Sequence, residues 1–171
     1  MAEPLKIDLD TLALRSGEAE RLEIDLEPEV PLLGGEELPI ESTPIASVID
    51  VSRTTSGYAL RLRGNVVVGG TCARCLGPAR LELEIDAREV DQDDSDDSDL
   101  RSPYVADGIL EPVRWLHDAI VLALPERVLC RSDCAGLCPV CGVSLNEVDP
   151  ATHVHEHEPD PRFAKLRELL D

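Results

Sequence analysis

Apolar and charged residues alternate with a period of two in residues 5–9, LKIDL, and again in residues 21–27, RLEIDLE. Successive side chains of a strand point to opposite faces, so this spacing predicts two half-buried strands with Leu5, Ile7, Leu9, Leu22, Ile24 and Leu26 turned inward. Ser16-Gly17 marks a turn between them. Residues 28–44 carry Pro28, Pro31, Gly34, Gly35, Pro39 and Pro44 and predict a loop or an edge segment. Alternating or β-branched patterns return in residues 45–51, 58–68 and 79–90. Leu60 and Leu62, with Leu81, Leu83 and Ile85, would share one side of a sheet. Arg61, Arg63, Glu82 and Glu84 would face the other, where the arginines could pair with the glutamates across a hairpin.

The period changes to helical over residues 111–124. Pro112 suits a first turn, Val113, Leu116, Ile120 and Leu124 fall on one stripe, and Pro125 stops it. A second short helix is predicted at the end of the chain, with Asp160 as N-cap, Pro161 first, and Phe163, Leu166, Leu169 and Leu170 toward the core. Residues 91–99, DQDDSDDSD, hold six aspartates and no apolar residue. Such a run cannot pack, which predicts a disordered acidic loop over about 91–101. The pattern gives an α+β fold: a mainly antiparallel β sheet or partial barrel with one or two packing helices. A mainly β region, 1–128, is followed by a Cys/His-rich segment, 129–171.

Composition changes this picture in two ways. Tyr58, Tyr104, Trp115 and Phe163 are the only aromatics, so the core must come from Leu, Val, Ile and Ala, and material for base stacking is scarce. The net charge of −19 repels phosphate backbones and favours a basic partner. From Arg53 to Arg88, however, six basic residues face three acidic ones. Direct RNA contact would therefore fall to Arg53, Arg61, Arg63, Arg74 and Arg80. MAEPLKIDLD lacks a cationic and apolar signal pattern, and no run approaches the roughly 18 apolar residues of a membrane span. The expected location is cytoplasmic, where thiols stay reduced.

The six cysteines then argue for metal rather than disulfides. Cys72-Ala-Arg-Cys75 and Cys138-Pro-Val-Cys141-Gly142 are Cys-x-x-Cys turns, each able to present two ligands of a tetrahedral zinc ion from one short loop. Cys130 and Cys134 stand just ahead of the second turn. Two partitions fit. Cys72, Cys75, Cys130 and Cys134 could form one site while Cys138 and Cys141 recruit His153, His155 and His157. Alternatively, Cys72, Cys75, Cys138 and Cys141 form a zinc ribbon and leave two spare thiols. The first uses every cysteine and accounts for the histidines, and is preferred; one or two structural zinc ions are expected.

Catalytic patterns are missing. There is no His-Glu-x-x-His, no deaminase-type His-x-Glu with Pro-Cys-x-x-Cys, no phosphate loop and no Gly-x-Ser-x-Gly elbow. The first Cys-x-x-Cys lies between strands, whereas a thioredoxin-like site wants a strand leading into a helix.

The Cys72-Ala-Arg-Cys75-Leu tip, the Leu122-Ala-Leu-Pro125 helix end, the block from Cys130 through Asp133-Cys134, Gly136, Cys138-Pro and Cys141-Gly142, then Leu145-Asn146 and Asp160-Pro161-Arg162, resemble the YceD family. This family is also catalogued as domain of unknown function 177 and called large ribosomal RNA subunit accumulation protein. The resemblance implies a role in 23S ribosomal RNA accumulation and large-subunit assembly. It also implies association with a small basic protein of that subunit, and no enzymatic activity. Many proteins of this type have Cys-x-Cys after Leu-Asn, where this chain has the histidine tract. The expected role is a non-enzymatic ribosome biogenesis factor that binds a basic ribosomal protein or a pre-ribosomal particle. The rivals are a zinc-dependent RNA-processing hydrolase and a cysteine-based redox or zinc sensor.

Overall fold

A computed structural model of the chain describes residues 5–92, 97–149 and 151–155. The strands are β1 (Ile7–Asp8), β2 (Ala19–Leu26), β3 (Leu32–Leu33), β4 (Glu36–Glu37), β5 (Ile45–Arg53), β6 (Gly57–Thr71), β7 (Pro78–Gln92), β8 (Val105–Ala106) and β9 (Ile109–Leu110), followed by helix α1 (Pro112–Ala123). The main sheet is an antiparallel meander in the order β2-β5-β6-β7. It is open at both edges and does not close into a barrel. Two small sheets, β1-β9-β8 and the β3-β4 hairpin, flank it.

Alternation decides which face is covered. Leu22 stands opposite Ile49, Ile49 opposite Leu62, and Leu62 opposite Ala87, so one apolar row crosses all four strands. On this face Ile49, Leu62 and Val68 are fully buried, as are Trp115, Leu116 and Ile120 of α1. Burial of each such side chain contributes roughly 1.5–3 kcal/mol. The helix forms because Leu116 and Ile120 recur at four-residue spacing behind Pro112. It ends because Leu124 precedes Pro125 and is forced into an extended conformation, φ −65° and ψ 136°.

Several expectations need correction. Leu5 is 42% exposed, because the first strand is only two residues long; Leu9 is the residue that turns fully inward. The core is mainly aliphatic but includes Tyr58, Tyr104 and its largest buried side chain, Trp115, which stacks on Tyr104 at 6.0 Å between centroids. Residues 28–44 contain the β3-β4 hairpin, and Ile40 bridges to Val68. Of the acidic run, Asp91 and Gln92 complete β7, the buried Asp91 accepts a hydrogen bond from the Ser102 N–H, and Ser98–Leu100 form a 3-10 turn. Residues 93–96 and the C-terminal helix expected after Asp160 lie outside the described residues.

The uncovered face is charged, but its pairing differs from expectation. The long β6-β7 ladder sets Val67 opposite Glu82 and Asn65 opposite Glu84, so neither glutamate reaches Arg61 or Arg63. Arg61 instead grips Asp86 through two bonds of 2.7 and 2.8 Å, and Arg63 bonds Asp50, which Arg21 also holds at 2.7 Å.

Arg21 first, then Arg63, hold the Asp50 carboxyl below its usual range. A depressed carboxylate pKa adds stability above its unfolded value of about 4, and this is lost as pH falls through the lower native value. Asp50→Asn is therefore expected to cost about 1 kcal/mol at neutral pH. In urea denaturation the difference from the wild type should close on acidification below pH 4.

Candidate metal centres

β6 and β7 are each 15 residues long, and their ladder runs past the nine-residue β5. The projecting end is supported on one edge by backbone bonds from Gly69 N–H to the Pro39 carbonyl and from Glu41 N–H to the Val67 carbonyl. Gly70 keeps a side chain out of the way of Leu38, whose Cδ2 would lie 2.8 Å from a Cβ there, and of Val128. Buried Val128 accepts the Ala73 N–H, which ties the chain emerging from α1 to the hairpin tip.

This tie delivers four sulfurs to one place. Cys72 Sγ lies 3.8 Å from Cys134 Sγ, and Cys75 Sγ lies 3.7 Å from Cys130 Sγ. All four lie within 4.8 Å of one another. A tetrahedral zinc ion with bonds of about 2.3 Å would set its sulfurs about 3.8 Å apart, whereas a disulfide requires about 2.05 Å. The cluster has the dimensions of a metal cage.

Cys138, Cys141, His153 and His155 form a second group whose ligand atoms also lie within 4.8 Å of one another. Cys138 Sγ is 3.3 Å from His155 Nε2, Cys141 Sγ is 3.6 Å from His153 Nε2, and the two Nε2 atoms are 3.0 Å apart. The structure thus brings together the two groups of the preferred partition and separates those of the zinc ribbon. His157 lies outside the described residues.

Both Cys-x-x-Cys turns use one local geometry. The Cys72 N–H donates to the Gly77 carbonyl and the Leu76 N–H to the Cys72 carbonyl; the Cys138 N–H donates to Val143 and the Gly142 N–H to Cys138. The fifth residue of each turn is left-handed: Gly142 at φ +73° and, without a glycine's freedom, Leu76 at +58°.

Two further residues hold the cages in register. Arg74 donates from Nη1 to the Cys134 carbonyl at 2.8 Å, and its own carbonyl accepts the Leu137 N–H. Asn146 accepts from the Ala135 N–H at 2.9 Å and from Arg131 at 2.8 Å, and its amide donates to Cys134 Sγ at 3.5 Å. No charge or ligand chemistry distinguishes an asparagine in a polar loop, so reasoning on ligand spacing passes over it.

The thiols are poised for an ion. The backbone N–H groups of Cys75 and Cys130 bring Cys72 down to about 6, and the Asn146 amide lowers Cys134. His153, with the backbone N–H groups of Cys141 and Val140, brings Cys138 down to about 6. Desolvation and then the neighbouring sulfurs push Cys130 up to about 12, so a metal-free cluster keeps a proton that an ion would displace.

The arginines considered for RNA contact are engaged within the molecule. Arg53 lies 4.4 Å over the Tyr58 ring, Arg61 and Arg63 bond Asp86 and Asp50, Arg74 braces the cage, and Arg80 bonds Glu41 and Glu82.

The family model described as large ribosomal RNA subunit accumulation protein YceD matches residues 60–170. The chain belongs to the YceD family. The YceD match takes in most of β6, all of β7 and α1, all six cysteines and the histidine tract. Uncharacterized proteins of Mycobacterium bovis and Mycobacterium tuberculosis are 32% identical to it over 181 residues, covering 99% of this chain and 83% of their own. One from Mycobacterium leprae is 43% identical over 67 residues, 39% of this chain and 30% of its own. No solved structure matches. The YceD name ties the family to large-subunit ribosomal RNA. Among the described residues, no helix is long and apolar enough to cross a membrane.

Two substitutions test the cage. Asn146→Ala should lower the metal affinity of the four-cysteine centre by about 10–100-fold, read by competition with a chelator. Leu76→Gly relieves a left-handed leucine worth about 1–2 kcal/mol, less the added freedom of the unfolded chain. A gain of up to about 1 kcal/mol in unfolding free energy, read as a higher denaturation midpoint, is expected.

Proposed function

We propose that this protein is a non-catalytic factor in large-subunit ribosome assembly, which sustains 23S ribosomal RNA by binding a basic ribosomal protein or a pre-ribosomal particle. The observation that carries this reading is the family match over residues 60–170. Charge supports the choice of partner. The protein has a net charge of −19, and the arginines of its one basic stretch already have partners of their own, so attraction is directed to a basic surface rather than to phosphate. Glu23 and Asp25 on one edge strand, with Glu82 and Glu84 on the other, are exposed on the uncovered face.

Zinc is the ion that the donor sets favour, because reduced thiolates and imidazoles in tetrahedral fours are its usual ligands. Four protein donors fill each coordination shell, the pattern of structural rather than catalytic zinc. In this role the ions fasten the C-terminal segment to the sheet, and binding is performed by the surface they shape.

The test is cofractionation of the tagged protein with large-subunit precursors, together with 23S RNA levels in a deletion strain. Association at physiological salt that weakens by about tenfold in a Glu23→Lys, Asp25→Lys double variant is expected, with less 23S than 16S RNA when the gene is removed. Unchanged 23S levels, with no retention on large-subunit particles or their basic proteins, would overturn the reading.

A further inference from the structure

The two metal clusters have similar dimensions but draw on the fold very differently. In the four-cysteine centre the sulfur pairs join residues 62 and 55 positions apart. One half sits on the β6-β7 tip and the other after α1. Cys72 and Cys134 are buried, Cys75 is half-buried and Cys130 exposed; the Arg74 strut and the Asn146 amide close on Cys134, and Leu38 and Val128 pack at Gly70 beside the tip. Separating its two halves means parting the tip from the chain that follows the helix.

The Cys138, Cys141, His153 and His155 cluster is local. Its cross-pairs are 17 and 12 positions apart, and the sheet contributes no ligand. Of the four residues only Cys138 is buried; Cys141 is exposed and the histidines are half-buried. Between Val143 and His155 no described residue is fully buried, and Val154 is 77% exposed. Among the described residues, the hydrogen bonds of the stretch from Glu147 to His155 run to Ser144, within the stretch around Asp149, or to Cys138 and Cys141. This arm therefore has neither a core nor a ladder of its own, and the four ligands are what fix it. The charges differ as well: two thiolates and two neutral imidazoles balance a divalent ion, whereas four thiolates leave a net negative charge.

We propose that the Cys138, Cys141, His153 and His155 cluster is an exchangeable zinc site. It folds the arm up to His155 when zinc is supplied and releases it with the sheet intact, while the four-cysteine centre keeps its ion for as long as the sheet stays folded. The inference rests on the zinc reading above and is independent of any ribosomal partner. Local opening needs only the arm to move, whereas release from the first centre requires a tertiary contact to break. Zinc supply would thereby set the shape of one end of the molecule without threatening its stability.

The test uses the full chain loaded with two equivalents of zinc and mixed with excess of the chromophoric chelator 4-(2-pyridylazo)resorcinol. Fluorescence of the buried Trp115 reports on the sheet. One equivalent is expected to leave at least about tenfold faster than the other, with Trp115 unchanged, and to rebind when zinc is restored. The His153→Ala, His155→Ala double variant should lose the fast equivalent and keep the slow one; Cys141→Ser, which alters the cluster from its other side, should do the same. Release of both ions in one phase with a change at Trp115 would overturn the proposal. So would a fast phase that survives both variants, or a wild-type chain that takes up a single equivalent. Because the readout is metal release, its failure leaves the cofractionation result standing, and the reverse also holds.

Discussion

The dependence of the segment from Cys130 to His155 on one hairpin is the constraint that organises this protein. The β6-β7 ladder is long enough to carry its tip beyond the sheet that supports it, and the tip has no apolar core of its own. Four sulfurs, two from the tip and two from the chain leaving α1, take the place of such a core. Strand pairing fixes where Cys72 and Cys75 stand; the Val128 and Leu38 packing fixes where Cys130 and Cys134 arrive. A metal cage is an economical way to close a loop of more than fifty residues, because a few ligand bonds substitute for apolar area that the segment cannot supply.

The other consequence of the long ladder is the fate of the arginines. A one-sided sheet leaves its second face to solvent, and here that face is laced with ion pairs: Arg21 and Arg63 on Asp50, Arg61 on Asp86, Arg80 on Glu41 and Glu82. Each pair contributes little to stability. Together they neutralise the one basic stretch of an acidic chain and blunt its exposed strand edges against pairing with other chains. In the proposed role this matters more than the energy does, because these arginines already have carboxylate partners.

Much of this was legible in the sequence, and the parts that were not share a cause. Strands β2, β5, β6 and β7 and helix α1 announce themselves because they are long enough to show a period, and the register of hydrophobic positions places their inner face correctly. The two-residue strands β3, β4, β8 and β9 show no period of their own. Their signals were turn residues: Asp107-Gly108 and Gly34-Gly35 both have positive φ at two successive positions, the conformation of a tight hairpin. Trp115 lies off the aliphatic stripe of Val113, Leu116, Ile120 and Leu124, so the helical period alone does not mark it as the largest buried side chain. Charge complementarity alone does not give the partners of Arg61 and Arg63, because the ladder places Arg88 and Asp86 opposite them and Glu82 and Glu84 opposite Val67 and Asn65. The grouping of cysteines was readable from ligand economy. The bracing by Arg74 and Asn146 was not, since it depends on where a carbonyl and a sulfur end up in space.

The repeated Cys-x-x-Cys turn shows how one local structure can be put to two mechanical uses. Both copies bind their first cysteine with the same pair of backbone hydrogen bonds, so each offers an ion the same half of a cage. What differs is the source of the other half. When it comes from a distant segment, the ion becomes part of the tertiary structure and its loss is coupled to unfolding. When it comes from the next dozen or so residues, the ion organises only the chain that binds it. The fifth residue of each turn is consistent with this division: a glycine adopts the left-handed conformation freely in the local turn, while in the anchored turn Leu76 holds it against its own preference, which requires surroundings that over-determine the backbone. The rigid centre can hold a strained residue because the sheet, the post-helix chain and the cage all act on the same six-residue loop.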